Sequence, residues 1–125
     1  MIGYRRIVHT TSGETILPRA RWCNTFAGKL RGFTFRRHLP AGEGLVLVEG
    51  KESRVNTAIH MLFVFFDLGV IWVNASGEVV DTALARSWHL SYTPRAPARY
   101  VIEGPPELLN HVAIGDKVAF EEITG

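Results

Sequence analysis

Acid–base or metal chemistry in this chain would fall to His60, Asp67 and Glu103. His60 lies among Ala58, Ile59, Met61 and Leu62, and an imidazole in such apolar company must find hydrogen-bond partners or lose its hydration uncompensated. The structural expectation is a hydrogen-bonded core histidine. The functional one is a metal ligand or proton donor, with His89, His111 or Glu103 as distant partners. No tight ligand spacing is present, so no metal is expected. Glu103 follows Tyr100, Val101 and Ile102; its acid either points inward beside Val101 or marks the exposed end of a strand, which is the simpler expectation. Paired with Asp67 or Asp116, it could supply the two carboxylates of a small hydrolase.

A second set of residues suits binding. Arg31 and Arg36 straddle a helix end and the loop after it, where a guanidinium could clamp a phosphate or carboxylate bidentately. The structural expectation is that they neutralise helix-terminal carbonyls. Arg19, Arg21, Lys29, Arg31, Arg36 and Arg37 occur with no acid between Glu14 and Glu43, and another acid-free stretch holds Arg86, Arg95 and Arg99. If folding joined these two cationic patches they could hold one anion. Trp88, in an irregular proline-containing stretch with His89 and Tyr92, is the aromatic expected to face a ligand, because loops on a rigid scaffold are where such sites are built. Phe63, Phe65, Phe66 and Trp72 stand in an apolar run and read as packing, and Cys23 beside Trp22 reads as core. A phosphate-cradling glycine loop, a dinucleotide fingerprint, a paired-cysteine zinc site and a serine elbow are all missing, so no cofactor is expected.

The elements that must position these residues follow from periodicity. Tyr4 to Val8 and Glu14 to Leu17 read as short strands around a polar loop, closed by Pro18. From Ala20 to Arg31 the period shifts: Trp22, Phe26 and Leu30 recur every four residues, which predicts one amphipathic helix ended by Gly32. Residues 33–44 predict an ordered loop. Leu45 to Val48, Ile59 to Phe66 and Leu68 to Val73 are apolar at successive positions and predict central strands covered on both faces. A turn at Asn74-Ala75-Ser76-Gly77 predicts a hairpin with Glu78 to Ala83. Tyr100 to Glu103 and Lys117 to Glu122 predict further strands, with one helical turn near Pro106 to Asn110.

These short strands between turn signals predict a mainly β domain, an antiparallel jelly-roll-like sandwich or partly open barrel with the helix packed on it. At 125 residues one domain is expected, since two cores would each be too small. One cysteine excludes an internal disulfide, and no apolar leader precedes the first strand, so a cytoplasmic location is the expectation. The apolar run 58–73 is shorter than the roughly 20 residues of a spanning helix, so no membrane segment is expected. A net charge of +2 is too small to imply nucleic-acid binding.

Taken in order, several segments resemble the family known as domain of unknown function 192: Leu30-Arg31-Gly32-Phe33 with Arg36 and Leu39, Gly44-Leu45, Ile59-His60-Met61 through Trp72, Gly77-Glu78-Val79-Val80, Tyr100-Val101-Ile102-Glu103 and Ile114-Gly115-Asp116-Lys117-Val118. The resemblance implies a mainly β, jelly-roll-like sandwich with a helix against it and implies no activity. The family's Pro-Leu-Asp triplet is replaced here by Asp67-Leu68-Gly69, so Asp67 would have to present the acid that position 69 lacks. The leading expectation is a noncatalytic binding or accessory module for a small polar ligand, a saccharide or an anion, using His60, Asp67, Trp88, Tyr92, Glu103, Arg31 and Arg36. The alternatives are a metal-dependent or carboxylate-based hydrolase built on His60, Asp67 and Glu103, and a protein-interaction domain; the oligomeric state is left open.

Overall fold

The computed structural model describes residues 3–24, 39, 42–89 and 91–123. Seven strands run β1 Tyr4–His9, β2 Thr15–Cys23, β3 Glu43–Ser53, β4 Leu68–Val73, β5 Val79–Ala85, β6 Ala98–Gly104 and β7 Val118–Ile123, with a 3-10 turn at Pro106–Asn110. They form a single sheet in the order β5-β4-β6-β3-β2-β1-β7, curled into a half-barrel. The curl is tied at one end, where the outermost strands begin. Glu78 bridges Lys117 there, the Val79 amide donates to the Asp116 carbonyl at 2.9 Å and the Val118 amide donates to the Gly77 carbonyl at 2.9 Å. The partly open barrel is thus the form the chain adopts, with one continuous sheet instead of two facing ones.

Period-two alternation gives this sheet two apolar faces. On the concave face Ile7, Val46, Ile71 and Ile102 are fully sealed. On the convex face Leu45, Val70, Trp72 and Val101 pack under Ile59, Met61 and Val64, which descend from the loop before β4. Strands β3, β4 and β6 therefore bury side chains in both directions, as the apolar runs Leu45 to Val48 and Leu68 to Val73 predict for two of them, and each buried aliphatic side chain contributes roughly 1.5–3 kcal/mol. The Trp72 indole N–H donates to the Thr57 carbonyl at 2.7 Å, satisfying the one polar atom this large side chain carries inward.

One end of the concave face is plugged by Leu17 and by Leu108 of the 3-10 turn. Glycines make room for the plug. A Cβ on Gly69 would lie 2.9 Å from the Pro105 carbonyl oxygen and 3.3 Å from the Leu108 Cβ, so position 69 can hold no side chain while the turn stays seated. The paired Gly104 would place a Cβ 3.2 Å from Leu108 Cδ2.

Several expectations fail for identifiable reasons. The predicted helix does not begin at Ala20: residues 20–23 continue β2, which pairs in parallel with β3 from Arg19↔Glu43 to Cys23↔Leu47. Hydrogen bonding to β3 overrides the four-residue spacing, and Trp22 and Cys23 consequently face opposite sides of the sheet. Residues 25–31 of the predicted helix, residues 33–38 and 40–41 of the predicted loop, and with them the candidate residues Arg31 and Arg36, lie outside the described residues. The β2–β3 pair also makes the sheet mixed, where an antiparallel one is expected. Pro18 does not close its strand, because it falls at a bulge where two residues of β2 oppose Arg6 of β1, a position that asks for no ladder donor. Ile59 to Phe66 is not a strand: only Ile59 bridges, to Tyr92, and Phe63 turns the chain with φ +62°. Its apolar content arises from pegs into the convex face alternating with exposed rings.

Candidate functional site

The loop over residues 54–67 meets residues 86–89 and 91–97 on the convex face as an irregular ribbon. Ile59 and Tyr92 exchange both backbone hydrogen bonds at 2.9 and 2.8 Å, the Met61 amide donates to the His89 carbonyl at 3.0 Å, and the Trp88 amide donates to the Met61 carbonyl at 2.8 Å. Ser87 adds two side-chain ties. Its amide donates to Asp67 Oδ1 at 2.8 Å and its hydroxyl to the Val64 carbonyl at 2.5 Å. Ile59, Met61 and Val64 are buried beneath this ribbon, so the residues between them are forced outward.

The outward residues form an aromatic patch. Phe63, Phe65 and Trp88 are 44%, 41% and 46% exposed, and both phenyl rings meet the indole edge to face, with centroids at 5.0 and 5.6 Å. At that separation each phenyl ring touches the indole directly, so among the described residues the three rings form one continuous patch. Phe63 and Trp88 have φ of +62° and +68° and are the non-glycine residues with positive φ among those described. A bulky side chain in this conformation costs on the order of 1 kcal/mol and persists only where surrounding contacts enforce it. Here the Trp88 amide bond to Met61 and the Ser87 ties supply that enforcement.

The polar neighbours are Asp67, Arg86, His89 and Tyr92. Arg86 Nη1 lies 3.7 Å from Asp67 Oδ2, and the Arg86 amide donates to the Tyr92 hydroxyl at 2.8 Å. That hydroxyl also sits 3.2 Å from His89 Nδ1, beneath nearly parallel rings. Asp67 thus works as a loop anchor. Replacing it with alanine is expected to lower stability by ~1.5 kcal/mol through the lost amide-to-carboxylate hydrogen bond, whereas Arg86→Ala, which breaks only a solvent-exposed pair, should change it by less than about 0.5 kcal/mol; paired thermal melts check both.

The other candidates lie elsewhere. His60 is exposed and is not the core histidine its neighbours suggest, because it points out between the Ile59 and Met61 pegs. Glu103 is 6% exposed and faces inward with Val101, correcting the expectation of an exposed strand end. Burial pushes its carboxyl group up to about 7. Asp67 does not take over position 69, which is occupied by the 3-10 turn. The described arginines do not converge: Arg19 lies 3.5 Å from Glu43, Arg86 beside Asp67, Arg95 3.2 Å from Asp81, and Arg99 donates to the Glu49 carbonyl. Among the described residues no group of three or more His, Cys, Asp or Glu could hold a metal ion, and no helix is long and apolar enough to cross a membrane. Sequence reasoning misses Phe63 and Phe65 as surface residues, since only the alternation of pegs and exposed positions separates them from packing aromatics.

The half-barrel is a fold shared with two proteins of known structure. A crystal structure of a protein of unknown function from Novosphingobium aromaticivorans matches with a TM-score of 0.75 at 21% identity, covering 94% of this chain and 84% of that one. Another, of a "putative transcription regulator" from Sinorhizobium meliloti, matches with a TM-score of 0.79 at 18% identity, covering 96% and 94%. Residues 7–120 match the model of the family DUF192, described as Uncharacterized ACR, and the chain belongs to that family. Its relatives include a UPF0127 protein of Thermococcus kodakarensis, 34% identical over 91% of this chain and 72% of the relative, and one of Pyrococcus furiosus, 29% identical over 94% and 99%.

Proposed function

We propose that this protein is a noncatalytic binding module whose contact surface is the Phe63–Phe65–Trp88 patch and whose ligand is a saccharide. The observation that carries the reading is that Phe63 and Trp88, both in strained backbone conformations, present half-exposed rings to the same patch. A turn that served only to reverse the chain would be relaxed by glycine, so the strain is consistent with a purpose for the rings. Exposed aromatic faces accept the C–H surface of a sugar, while Asp67 and Arg86 at the rim can exchange hydrogen bonds with hydroxyl groups. An anionic ligand has less support, because the described arginines named above already face acids or carbonyls. The hydrolase alternative is also weaker: His60 is exposed, Glu103 is buried, and Asp67 is engaged by Ser87 and Arg86.

The patch equally has the composition of a protein-docking surface, since Leu62 beside it is also exposed. Titration of the protein with mono- and oligosaccharides, followed by thermal shift and indole fluorescence, separates the two. A bound sugar must raise Tm, and Trp88→Ala should weaken binding by ~10-fold or more, the loss of a central aromatic contact of roughly 2 kcal/mol. A flat response of the unmutated protein across the sugar panel would remove the saccharide.

A further inference from the structure

Trp88 reaches the aromatic patch from the tip of a tight turn. The His89 amide donates to the Arg86 carbonyl at 3.2 Å, and the φ of +68° at Trp88 is that of the third residue of a type II turn. Tyr92 holds the base of this turn at both ends. Its hydroxyl oxygen accepts from the Arg86 amide at 2.8 Å and lies 3.2 Å from His89 Nδ1, with the two rings 6° from parallel and their centroids 6.2 Å apart. The Arg86 amide is a donor only, so it takes a lone pair of the phenol oxygen and leaves the O–H in need of an acceptor. His89 Nδ1 is the acceptor set against it. A ring nitrogen that accepts leaves the proton of a neutral imidazole on the other nitrogen, so His89 carries its N–H on Nε2. His89 is exposed and follows Trp88 directly in the turn, which brings this N–H to the rim of the patch.

We infer that His89, oriented by the Tyr92 hydroxyl, is the specificity-determining donor of this surface and that the sugar it selects carries an acetamido group. The inference rests on the saccharide reading of the Phe63–Phe65–Trp88 patch. A sugar hydroxyl group meets a donor or an acceptor equally well, so a fixed N–H does not select it. An amide carbonyl oxygen only accepts, and the methyl group it brings adds apolar surface against the rings. A uronic acid carboxylate also only accepts, but a neutral imidazole offers it no countercharge. The Arg86 guanidinium at the rim already faces Asp67 Oδ2 at 3.7 Å. Tyr92 is a positioning residue: it fixes the proton of His89 and the base of the turn that displays Trp88, and acts on the sugar through them.

Two measurements test the two halves of the inference. Nitrogen NMR of the imidazole at about pH 8, where an ordinary histidine is neutral, should show His89 in the Nε2–H form in the unmutated protein and as a mixture of tautomers in Tyr92→Phe, which keeps the ring and loses the hydroxyl. An Nδ1–H form in the unmutated protein would overturn the inference whatever the sugars do. Thermal shift and indole fluorescence titrations then compare chitotriose with cellotriose, which differ only in carrying an acetamido or a hydroxyl group on the second carbon of each ring. Chitotriose should bind tighter by about fivefold, the worth of one hydrogen bond. That preference should vanish in His89→Ala and return in His89→Gln, whose side-chain amide offers an N–H at a similar reach. Equal binding of the two sugars, or a preference that His89→Ala leaves intact, would overturn the role of His89 while the saccharide reading stands. Binding of neither sugar, nor of any other in the panel, would end the saccharide reading and this inference with it.

Discussion

Raising the pH from about 4 to about 8 is expected to remove ~3 kcal/mol of folding stability through Glu103. In the unfolded chain this carboxyl group titrates at its ordinary 4.5, and in the folded protein burial pushes it up to about 7. The folded state therefore holds its proton through a range in which the unfolded state has already lost it. Below 4.5 both states are protonated and the group makes no difference. Between 4.5 and 7 the unfolded state gains from ionisation that the folded state forgoes, and stability falls. Above 7 both are ionised and the full penalty persists, about 1.4 kcal/mol for each unit separating the two values. Other groups titrate over the same range, so the informative quantity is the difference between the unmutated protein and Glu103→Gln, which cannot ionise. Denaturant melts at several pH values should show the two diverging across this window, with the glutamine variant gaining on the parent as pH rises. Parallel curves would mean that the carboxyl group is solvated in the folded protein.

Gly44→Ala should be nearly as disruptive, and for a purely steric reason. A Cβ at this position would fall 2.3 Å from the Glu103 carbonyl oxygen and 2.7 Å from Leu17 Cδ2. The leucine end can rotate, but the carbonyl is held in the ladder between β3 and β6, where Leu45 pairs with Glu103. Relief demands that these central strands separate, with loss of hydrogen bonds and of packing on both faces. The expected penalty is ~3 kcal/mol, or a fall in Tm of roughly 10 °C for a chain of this size. Gly50 in the same strand is the control: nothing lies within 4 Å of a Cβ there, so Gly50→Ala should leave Tm nearly unchanged. Similar melting of the two variants would show that β3 and β6 do not approach as closely as described.

The central strands were legible because each buries side chains on two faces. Leu45 to Val48 and Leu68 to Val73 have no polar position to expose, and no other element of their length hides every side chain. The hairpin through Asn74 to Gly77 was equally plain: the Asn74 carboxamide oxygen accepts from the amides of Ser76 and Glu78, and Gly77 takes φ +87°, which are the local interactions such residues favour. Ile59 to Phe66 had the same apolar content and a different fate. Its backbone pairs irregularly with Trp88, His89 and Tyr92, so content without a regular partner yields pegs and exposed rings.

By itself the sequence determined a mainly β chain, two strands of its core, Leu45 to Val48 and Leu68 to Val73, and the family to which it belongs, since apolar runs, turn residues and ordered motifs are local properties. Tertiary structure alone decided that residues 20–23 pair with β3 and do not coil, that Glu103 points into the convex layer, and that Phe63, Phe65 and Trp88 share one surface. Each of these depends on which strand lies alongside and at what register, and a shift of one residue would turn every side chain to the opposite face. That information resides in contacts between segments far apart in the chain.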